Sequence, residues 1–392
     1  MLITEEKPGA DPSLSEELPR GQNAPVTEKT ERVFVALSGG MDSAVSAYLL
    51  LQQGYEVVGI SMSIGSGGAA GGSEGHPRDD RRMMDVGDAR RVAERLGIPL
   101  HVVDVEKEFN RDVVDYFCQE YMEGRTPNPC IKCNEKVKLG TMWKSAERLG
   151  ARILATGHYA RVTYDSERRR YGLLKGVDRR KDQSYVLFSL SQDQLSRLRF
   201  PLGDVGKRQV REVARTLGIT ISDTAESQEI CFIRGRDYRS YLLNRFGSHS
   251  SAGDIVDRQG RVLGSHDGIY GFTVGQRRGL GVSVGHPLYV IDIDGVANRV
   301  IVGSEREIFK DRCVAFGVNW MAVEVLTEPQ DVEARIRYNH PGAEATVEPI
   351  AADRVRVRFK HPQKAVTPGQ AVVFYQGDVL LGGGWIEKES HV

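Results

Sequence analysis

The run Val33-Phe34-Val35-Ala36-Leu37-Ser38-Gly39-Gly40-Met41-Asp42-Ser43 constrains this chain more than any other segment, because an apolar strand passes through two glycines straight into a helix. A turn of this kind leaves the first amides of the helix without internal partners and lets the backbone approach an anion closely. Ser38 and Ser43 add hydroxyl donors, so the turn suits a phosphate. Asp42 is repulsive there by itself and becomes useful as a helix cap or as a ligand of phosphate-bound Mg²⁺. The Lys of G-x-x-x-x-G-K-[ST] is missing and no G-x-G-x-x-G stands here, so this is neither a Walker A loop nor a dinucleotide fingerprint. A plain strand-to-helix turn that uses Gly and Ser for backbone reasons is the alternative reading.

Around that turn the chain alternates strand and helix patterns. Strands are expected over 33–37, 56–62, 100–105 and 152–156, with helices near 44–53, 86–96 and 136–149, two of which run into Gly97 and Gly150 as stops. The layout is a doubly wound parallel sheet, an α/β class in which ligands bind beyond the carboxyl ends of the strands. Residues 38–43, Met62 and Gly157-His158 all fall at such ends. After about Tyr238 turns such as Asp257-Arg258-Gln259-Gly260 and Asp292-Ile293-Asp294-Gly295 punctuate short β-branched runs, which reads as an antiparallel β region. The alternation Arg354-Val355-Arg356-Val357-Arg358-Phe359-Lys360 places its cations on one strand face and its apolar side chains on the other. The expected domains are a disordered tail over 1–31, a catalytic domain over 32–237, a small central mostly-β domain over 238–304 and a β-barrel-like domain over 305–392. Residues 65–75, rich in Gly, Ser and Ala, and the charged 78–82 read as a loop after the second strand, either a lid or plain solvent loop.

Cysteine usage separates the remaining classes. Cys118, Cys130, Cys133, Cys231 and Cys313 are an odd number spread over 392 residues, unlike a secreted disulfide framework. No stretch of about 18 apolar residues offers a membrane span, and the first thirty residues lack a signal-peptide core, so the chain reads as cytoplasmic with no membrane partner. Lys plus Arg equals Asp plus Glu at 53 each, so a nucleic acid would have to be met by local basic patches. In Arg125-Thr126-Pro127-Asn128-Pro129-Cys130-Ile131-Lys132-Cys133-Asn134 the prolines oppose a regular helix and present a C-x-x-C turn before the helix at Lys136. Thiols near a helix start favour the thiolate, which serves nucleophilic attack, disulfide exchange or metal binding. Cys231 sits alone in Ser227-Gln228-Glu229-Ile230-Cys231-Phe232, and core packing suffices for Cys118 and Cys313.

Ser38-Gly39-Gly40-Met41-Asp42-Ser43 resembles the PP-loop of the ATP pyrophosphatases. Together with Gly124-Arg125-Thr126-Pro127-Asn128-Pro129, Ala155-Thr156-Gly157-His158-Tyr159-Ala160-Arg161, Lys181-Asp182-Gln183-Ser184-Tyr185, 227–232 and 271–280, it makes the chain similar to the tRNA-specific 2-thiouridylase family from about Val33 to Trp385. The resemblance implies an enzyme that adenylates the 2-oxygen of a wobble uridine with ATP and Mg²⁺ and replaces that oxygen by sulfur. It implies that Ala36, Leu37, Ser38, Gly39, Gly40, Met41, Asp42, Ser43, Met62 and Gly157 serve ATP. It also implies that Asn128, Pro129 and Cys130 hold the target base, with His158 near the reacting site. Lys181, Asp182, Gln183, Arg337, Tyr338 and Gln370 should meet the tRNA.

On the same resemblance Cys231 carries a persulfide from a sulfur-relay protein or cysteine desulfurase, and Cys133 is its partner thiol in a transient disulfide. Many relatives have Asp where this chain has Cys130. Alternatively Cys130, Cys133 and Cys231 would ligate a [4Fe–4S] cluster with one open iron, or a zinc with a fourth partner. Two other functions stay open: an AMP-forming ligase such as an argininosuccinate synthetase, which needs no paired thiols, and an idle tRNA-binding protein, which would not need Ser38, Asp42, Cys133 and Cys231 together.

Overall fold

The computed structural model describes residues 3–6, 31–65, 86–219, 230–233, 238–246 and 251–388. The proposed loop over 65–75 and 78–82 lies outside the described residues apart from Gly65, as do Ser227, Gln228 and Glu229. The chain forms two compact units, one of Met1–Asp112 with Lys132–Gln228 and one of Val113–Ile131 with Glu229–Val392.

The first unit is built on β1 (Ile3–Glu6), β2 (Arg32–Ala36), β3 (Glu56–Ser63), β4 (Leu100–Asp104), β5 (Ile153–Ala155) and β8 (Leu198–Arg199), in the order β1-β4-β3-β2-β5-β8. Every pairing from β4 to β8 is parallel. β1 adds antiparallel at the edge of β4, with Ile3 opposite Val103; a strand therefore stands within the segment expected to be a disordered tail, because the edge amides and carbonyls of β4 can be satisfied by any extended segment. β2 is flanked on both sides, and Val33, Phe34 and Val35 are fully buried, as a central parallel strand requires. Helices α1 (Met41–Gln52) and α2 (Val86–Leu96) bury Ala44, Ala47, Leu50, Ala89, Val92 and Ala93 with the apolar residues of β2. A further helix, α3 (Lys207–Thr216), packs Val210 and Ala214 with Val45, Tyr159 and Leu202. The hairpin of β6 (Ala160–Asp165) and β7 (Arg170–Lys175) completes the unit.

Strand order reverses at β2: the chain moves outward to β3 and β4 on one side, then returns to β5 and β8 on the other. The loops after β2 and β5 thus leave neighbouring strands in opposite directions, which is where such sheets open a ligand crevice.

In the second unit β9 (Gly253–Asp257), β10 (Val262–His266), β11 (Tyr289–Asp294) and β12 (Arg299–Gly303) form a sheet of order β10-β9-β12-β11. The expected purely antiparallel region is corrected here, since β12 runs parallel to β9. The chain enters β11 running in the same direction as it left β10, so β12, antiparallel to β11, comes to lie parallel to β9. Six further strands, β13 (Phe309–Trp320), β14 (Gln330–Arg335), β15 (Ala343–Ala351), β16 (Arg354–Lys364), β17 (Ala371–Gln376) and β18 (Val379–Ile386), pair antiparallel and close when β13 meets both β16 and β18. Val355, Val357 and Phe359 point into this barrel with Val347, Val372 and Phe374, as the alternation on β16 implies.

Phe374 is fully buried at the barrel centre. Phe374→Ala is expected to destabilise that unit by about 3–5 kcal/mol, read as a lower denaturation midpoint with secondary structure retained in the absence of denaturant.

Candidate active site

The loop after β2 is held by its own side chains. Leu37 donates its amide to the Ile60 carbonyl at 2.8 Å, which extends the sheet one residue past β2. Ser43 Oγ then donates to the Gly40 carbonyl at 2.9 Å and accepts from the Ser38 amide at 3.2 Å, while Ser38 Oγ lies 3.2 Å from Ser43 Oγ and accepts from the Gly40 amide at 3.3 Å. Gly39 has φ +76°, and a Cβ there would overlap Asp88 at the start of α2, so no other residue fits. Gly40 precedes α1 in extended conformation and offers no side-chain cap, leaving the first amides of α1 for an outside acceptor. Leu37 and Met62 are buried; they shape the loop from beneath. Gly157, after β5, would place a Cβ 3.0 Å from the Asp42 carbonyl carbon and the Ser43 nitrogen. The two loops at the strand-order reversal are therefore in van der Waals contact.

Asp42 is engaged in a way the sequence reading missed. Lys207 Nζ lies 2.7 and 2.9 Å from its two carboxylate oxygens, and the Tyr159 hydroxyl donates to Oδ1 at 2.8 Å. A lysine opening a helix works against the positive end of the helix dipole, and that was the available signal: α3 has no acidic residue in its first turn.

His158 is buried, with Nδ1 2.7 Å from Thr156 Oγ1 and its ring edge-on to Phe200. Burial, reinforced by the charge of Lys138, pushes its pKa down to about 3, so the ring is neutral at physiological pH. Of the expected tRNA contacts, Asp182 is buried and its carboxylate accepts from the Gly176 amide and from the Ser184 amide and hydroxyl, each at 3.1 Å. Gln183 Oε1 accepts from the Tyr159 amide at 3.0 Å. Both hold the segment to its neighbours, whereas Lys181 lines a cavity with Lys207.

The proline-bearing segment differs from expectation. Helix begins at Pro129 itself (Pro129–Lys132), so Cys130 lies in its first turn, and Cys133 opens a π-helical stretch (Cys133–Met142). Proline at the first helical position has no amide to lose, and Asn128 Oδ1 accepts from the Ile131 amide at 3.4 Å. Cys130 is exposed, Cys133 buried and Cys231 half-buried, and none of the five cysteines is disulfide-bonded. Cys118, inside a helix, has its thiol pushed up to about 12 by burial, in keeping with a packing role. Gln370 donates to the carbonyls of Thr126 and Pro127 at 3.0 and 3.1 Å, and the Thr126 amide donates to the Pro368 carbonyl at 2.9 Å. Gln370 thus fixes the backbone that leads to Asn128. Arg337 and Tyr338 are exposed in the turn after β14, with Arg337 donating to the Lys364 carbonyl at 3.1 Å. The basic face of β16 is offset by acids: Arg356 and Arg358 meet Glu348, Lys360 meets Glu344 and Arg354 meets Glu387. That face loses much of its force as an argument for RNA.

Family models match three consecutive segments: the tRNA methyl transferase HUP domain over residues 31–235, the tRNA methyl transferase PRC-barrel domain over 240–304 and the aminomethyltransferase beta-barrel domain over 310–386. A protein named tRNA-specific 2-thiouridylase MnmA from Carboxydothermus hydrogenoformans is 50% identical over 91% of this chain and 98% of its own length. One of the same name from Geobacter metallireducens is 48% identical over 92% and 98%. The chain belongs to the tRNA-specific 2-thiouridylase family. A solved structure titled U34-tRNA thiolase NcsA from Methanococcus maripaludis with its [4Fe-4S] cluster is similar at 18% identity over 56% of this chain and 67% of its own, with a TM-score of 0.31, too weak a likeness to bear on the metal question.

Two groups implied for a 2-thiouridylase of this kind can be tested against the side chains. Mg²⁺ is commonly held by one or two carboxylates with phosphates and waters completing the shell, and Asp42 supplies one carboxylate at the loop, already facing a cation in Lys207 Nζ. That donor set fits a phosphate-bound Mg²⁺. For a three-thiolate cluster, Cys133 belongs to the first unit and Cys130 and Cys231 to the second. Among the described residues no group of three or more His, Cys, Asp or Glu side chains converges as a metal site. No helix among them is long and apolar enough to cross a membrane.

Gly157→Val is expected to push the loop off the amides of α1 and weaken ATP binding by about tenfold, roughly 1.4 kcal/mol, with little change in thermal stability; unchanged affinity in a calorimetric titration would refute the contact. His158 also carries a pH signature. Between pH 6.5 and 3 the unfolded chain binds a proton that the folded ring refuses, so stability falls as pH drops through this window. From pH 6.5 to 5 the loss is about 2 kcal/mol, and His158→Gln should flatten that part of the stability profile measured by urea unfolding.

Proposed function

We propose that this enzyme forms 2-thiouridine at the wobble position of tRNA by ATP-dependent adenylation followed by sulfur transfer. The observation that carries the reading is the Ser38–Ser43 hydrogen-bonded loop, placed at the strand-order reversal of a chain half identical to a 2-thiouridylase. ATP lies with its phosphates against the amides of 39–43. The uridine C2 oxygen attacks the α-phosphorus, the bond from that phosphorus to the bridging oxygen breaks, and pyrophosphate departs with the electron pair. Mg²⁺, when bound through Asp42 and the phosphates, supplies charge neutralisation. A carbonyl oxygen is a poor leaving group, whereas the adenylated oxygen leaves as AMP. Sulfur adds at C2 as AMP departs, so one oxygen is exchanged for one sulfur.

The wobble base has to leave the anticodon stack to be reached. Asn128, Pro129 and Cys130, on a segment whose backbone is fixed by Gln370, receive it. Arg337, Tyr338 and Lys181 meet the RNA from exposed or cavity-lining positions. Cys231 carries the sulfur as a persulfide supplied by a sulfur-relay protein or a cysteine desulfurase. Attack of the Cys133 thiolate on Cys231 Sγ breaks the S–S bond, transfers sulfide to C2 and leaves a Cys133–Cys231 disulfide, which an external dithiol reduces before the next turnover.

The deciding experiment supplies anaerobically purified protein with ATP, unmodified tRNA and a persulfide donor, with iron and acid-labile sulfide assayed on the same sample. Activity from iron-free protein is the expected result. Cys231→Ala and Cys133→Ala should each lower thiolation by at least about a hundredfold while the tRNA Kd stays within about threefold, because the thiols contribute chemistry and the phosphate contacts contribute affinity. About four irons per chain, with activity lost when they are removed, would replace the persulfide route by cluster chemistry. Pyrophosphate release driven by an amino acid or a free nucleotide in place of tRNA would point to an AMP-forming ligase.

A further inference from the structure

Asn134 is an anomaly next to the thiol assigned to sulfur release. It follows Cys133 directly, on the π-helical stretch Cys133–Met142, and is 2% exposed. Its Nδ2 donates to the Val186 carbonyl at 3.1 Å, whereas its buried Oδ1 meets no donor among the described residues. A buried amide left half satisfied costs stability, and π-helical turns occur frequently at functional sites. Packing alone therefore does not account for an asparagine here, and the group it holds has to be considered.

From Val186 an unbroken line of hydrogen bonds runs to the loop after β2, and every member belongs to the first unit. The Val186 amide, in the short helix Ser184–Leu187, donates to the Gln183 carbonyl at 3.2 Å. Gln183 and Tyr159 are joined twice: the Gln183 amide donates to the Tyr159 carbonyl at 2.9 Å, and the Tyr159 amide donates to Gln183 Oε1 at 3.0 Å. The Tyr159 hydroxyl then donates to Asp42 Oδ1 at 2.8 Å. Tyr159 is buried among Val45, Leu202, Val210 and Ala214, so its ring has no room to swing and passes a displacement of Asp42 on to its own backbone. The nucleotide loop and the residue after Cys133 are thereby the two ends of one packed, hydrogen-bonded path.

Resting on the adenylation and persulfide reading above, we propose that Tyr159 and Asn134 are positioning residues that tie Cys133 to the nucleotide loop, so that ATP on the loop steadies the thiol. A ligand that binds the ordered loop lowers the population of states in which the loop, and whatever is tied to it, has opened. The chemistry gives this coupling a purpose. Sulfide released before the uridine oxygen has been adenylated finds no electrophilic carbon to join and is lost, so a Cys133 that settles into place once ATP is bound keeps the two steps in order.

The test is the rate at which methyl methanethiolsulfonate modifies Cys133 in the full chain, read by peptide mass spectrometry with and without saturating ATP and Mg²⁺. Calorimetry measures ATP binding on the same samples, and Cys118, buried in the second unit, reports any general tightening. In the wild type ATP is expected to slow modification of Cys133 by at least about fivefold and of Cys118 by less than about twofold. Tyr159→Phe, which removes only the hydroxyl, should reduce the effect at Cys133 to less than about twofold while ATP still binds. Asn134→Leu, similar in volume, should do the same from the other end of the path, and Tyr159→Phe keeps the proposal testable if Asn134→Leu fails to fold. Slowing at Cys118 equal to that at Cys133 would make the effect global and overturn the proposal, as would protection of Cys133 that persists undiminished in Tyr159→Phe. Wild-type protein that binds no ATP would sink the adenylation reading and this inference with it, whereas ATP binding that leaves the Cys133 rate unchanged would sink this inference alone.

Discussion

The position of β2 between β3 and β5 governs the geometry of the loop proposed to meet the nucleotide. Because β2 is hydrogen-bonded on both sides, its last residue is fixed, and the turn that follows cannot drift. Because the strand order reverses there, the turn faces the loop after β5 across a gap small enough that Gly157 meets the backbone of Asp42 and Ser43. The serine hydroxyls then set the curvature of the loop, and the amides of α1 point outward. The proposed binding surface is thus a product of main-chain geometry, with side chains as its scaffolding.

That division of labour changes how several polar residues are understood. Ser38, Ser43, Asp182, Gln183 and Gln370 belong to the residue types that usually touch a substrate, yet in each case the side chain is committed to neighbouring protein groups. Precise placement of a phosphate, a base or a thiol requires a locked backbone, and locking it consumes polar groups. His158 follows the same logic: a ring kept neutral by burial supports Thr156 at the end of β5 without bringing a charge.

The sheet, its glycine turn and the barrel strand over 354–360 were legible in the sequence because each rests on local periodicity that burial then obeyed. The helix start at Pro129 was misread, since proline was weighed as a breaker when its role at the first helical position was open to it. The parallel pairing of β9 with β12 and the offset of the β16 cations by Glu344, Glu348 and Glu387 depend on residues distant in the chain, and no local pattern encodes them. Lys207 leaves one local trace, a cation at a helix start, but its partner Asp42 stands 165 positions away in the sequence.

The hold of Gln370 on Thr126 and Pro127 has a consequence for how the second unit can be divided. A C-terminal barrel of this kind invites treatment as a detachable module that could be trimmed or exchanged between relatives. Here the barrel end supplies both the amide that grips those two carbonyls and the Pro368 carbonyl that receives the Thr126 amide. A chimera joined anywhere between residues 130 and 368 therefore takes the gripped backbone from one parent and the residues that grip it from the other.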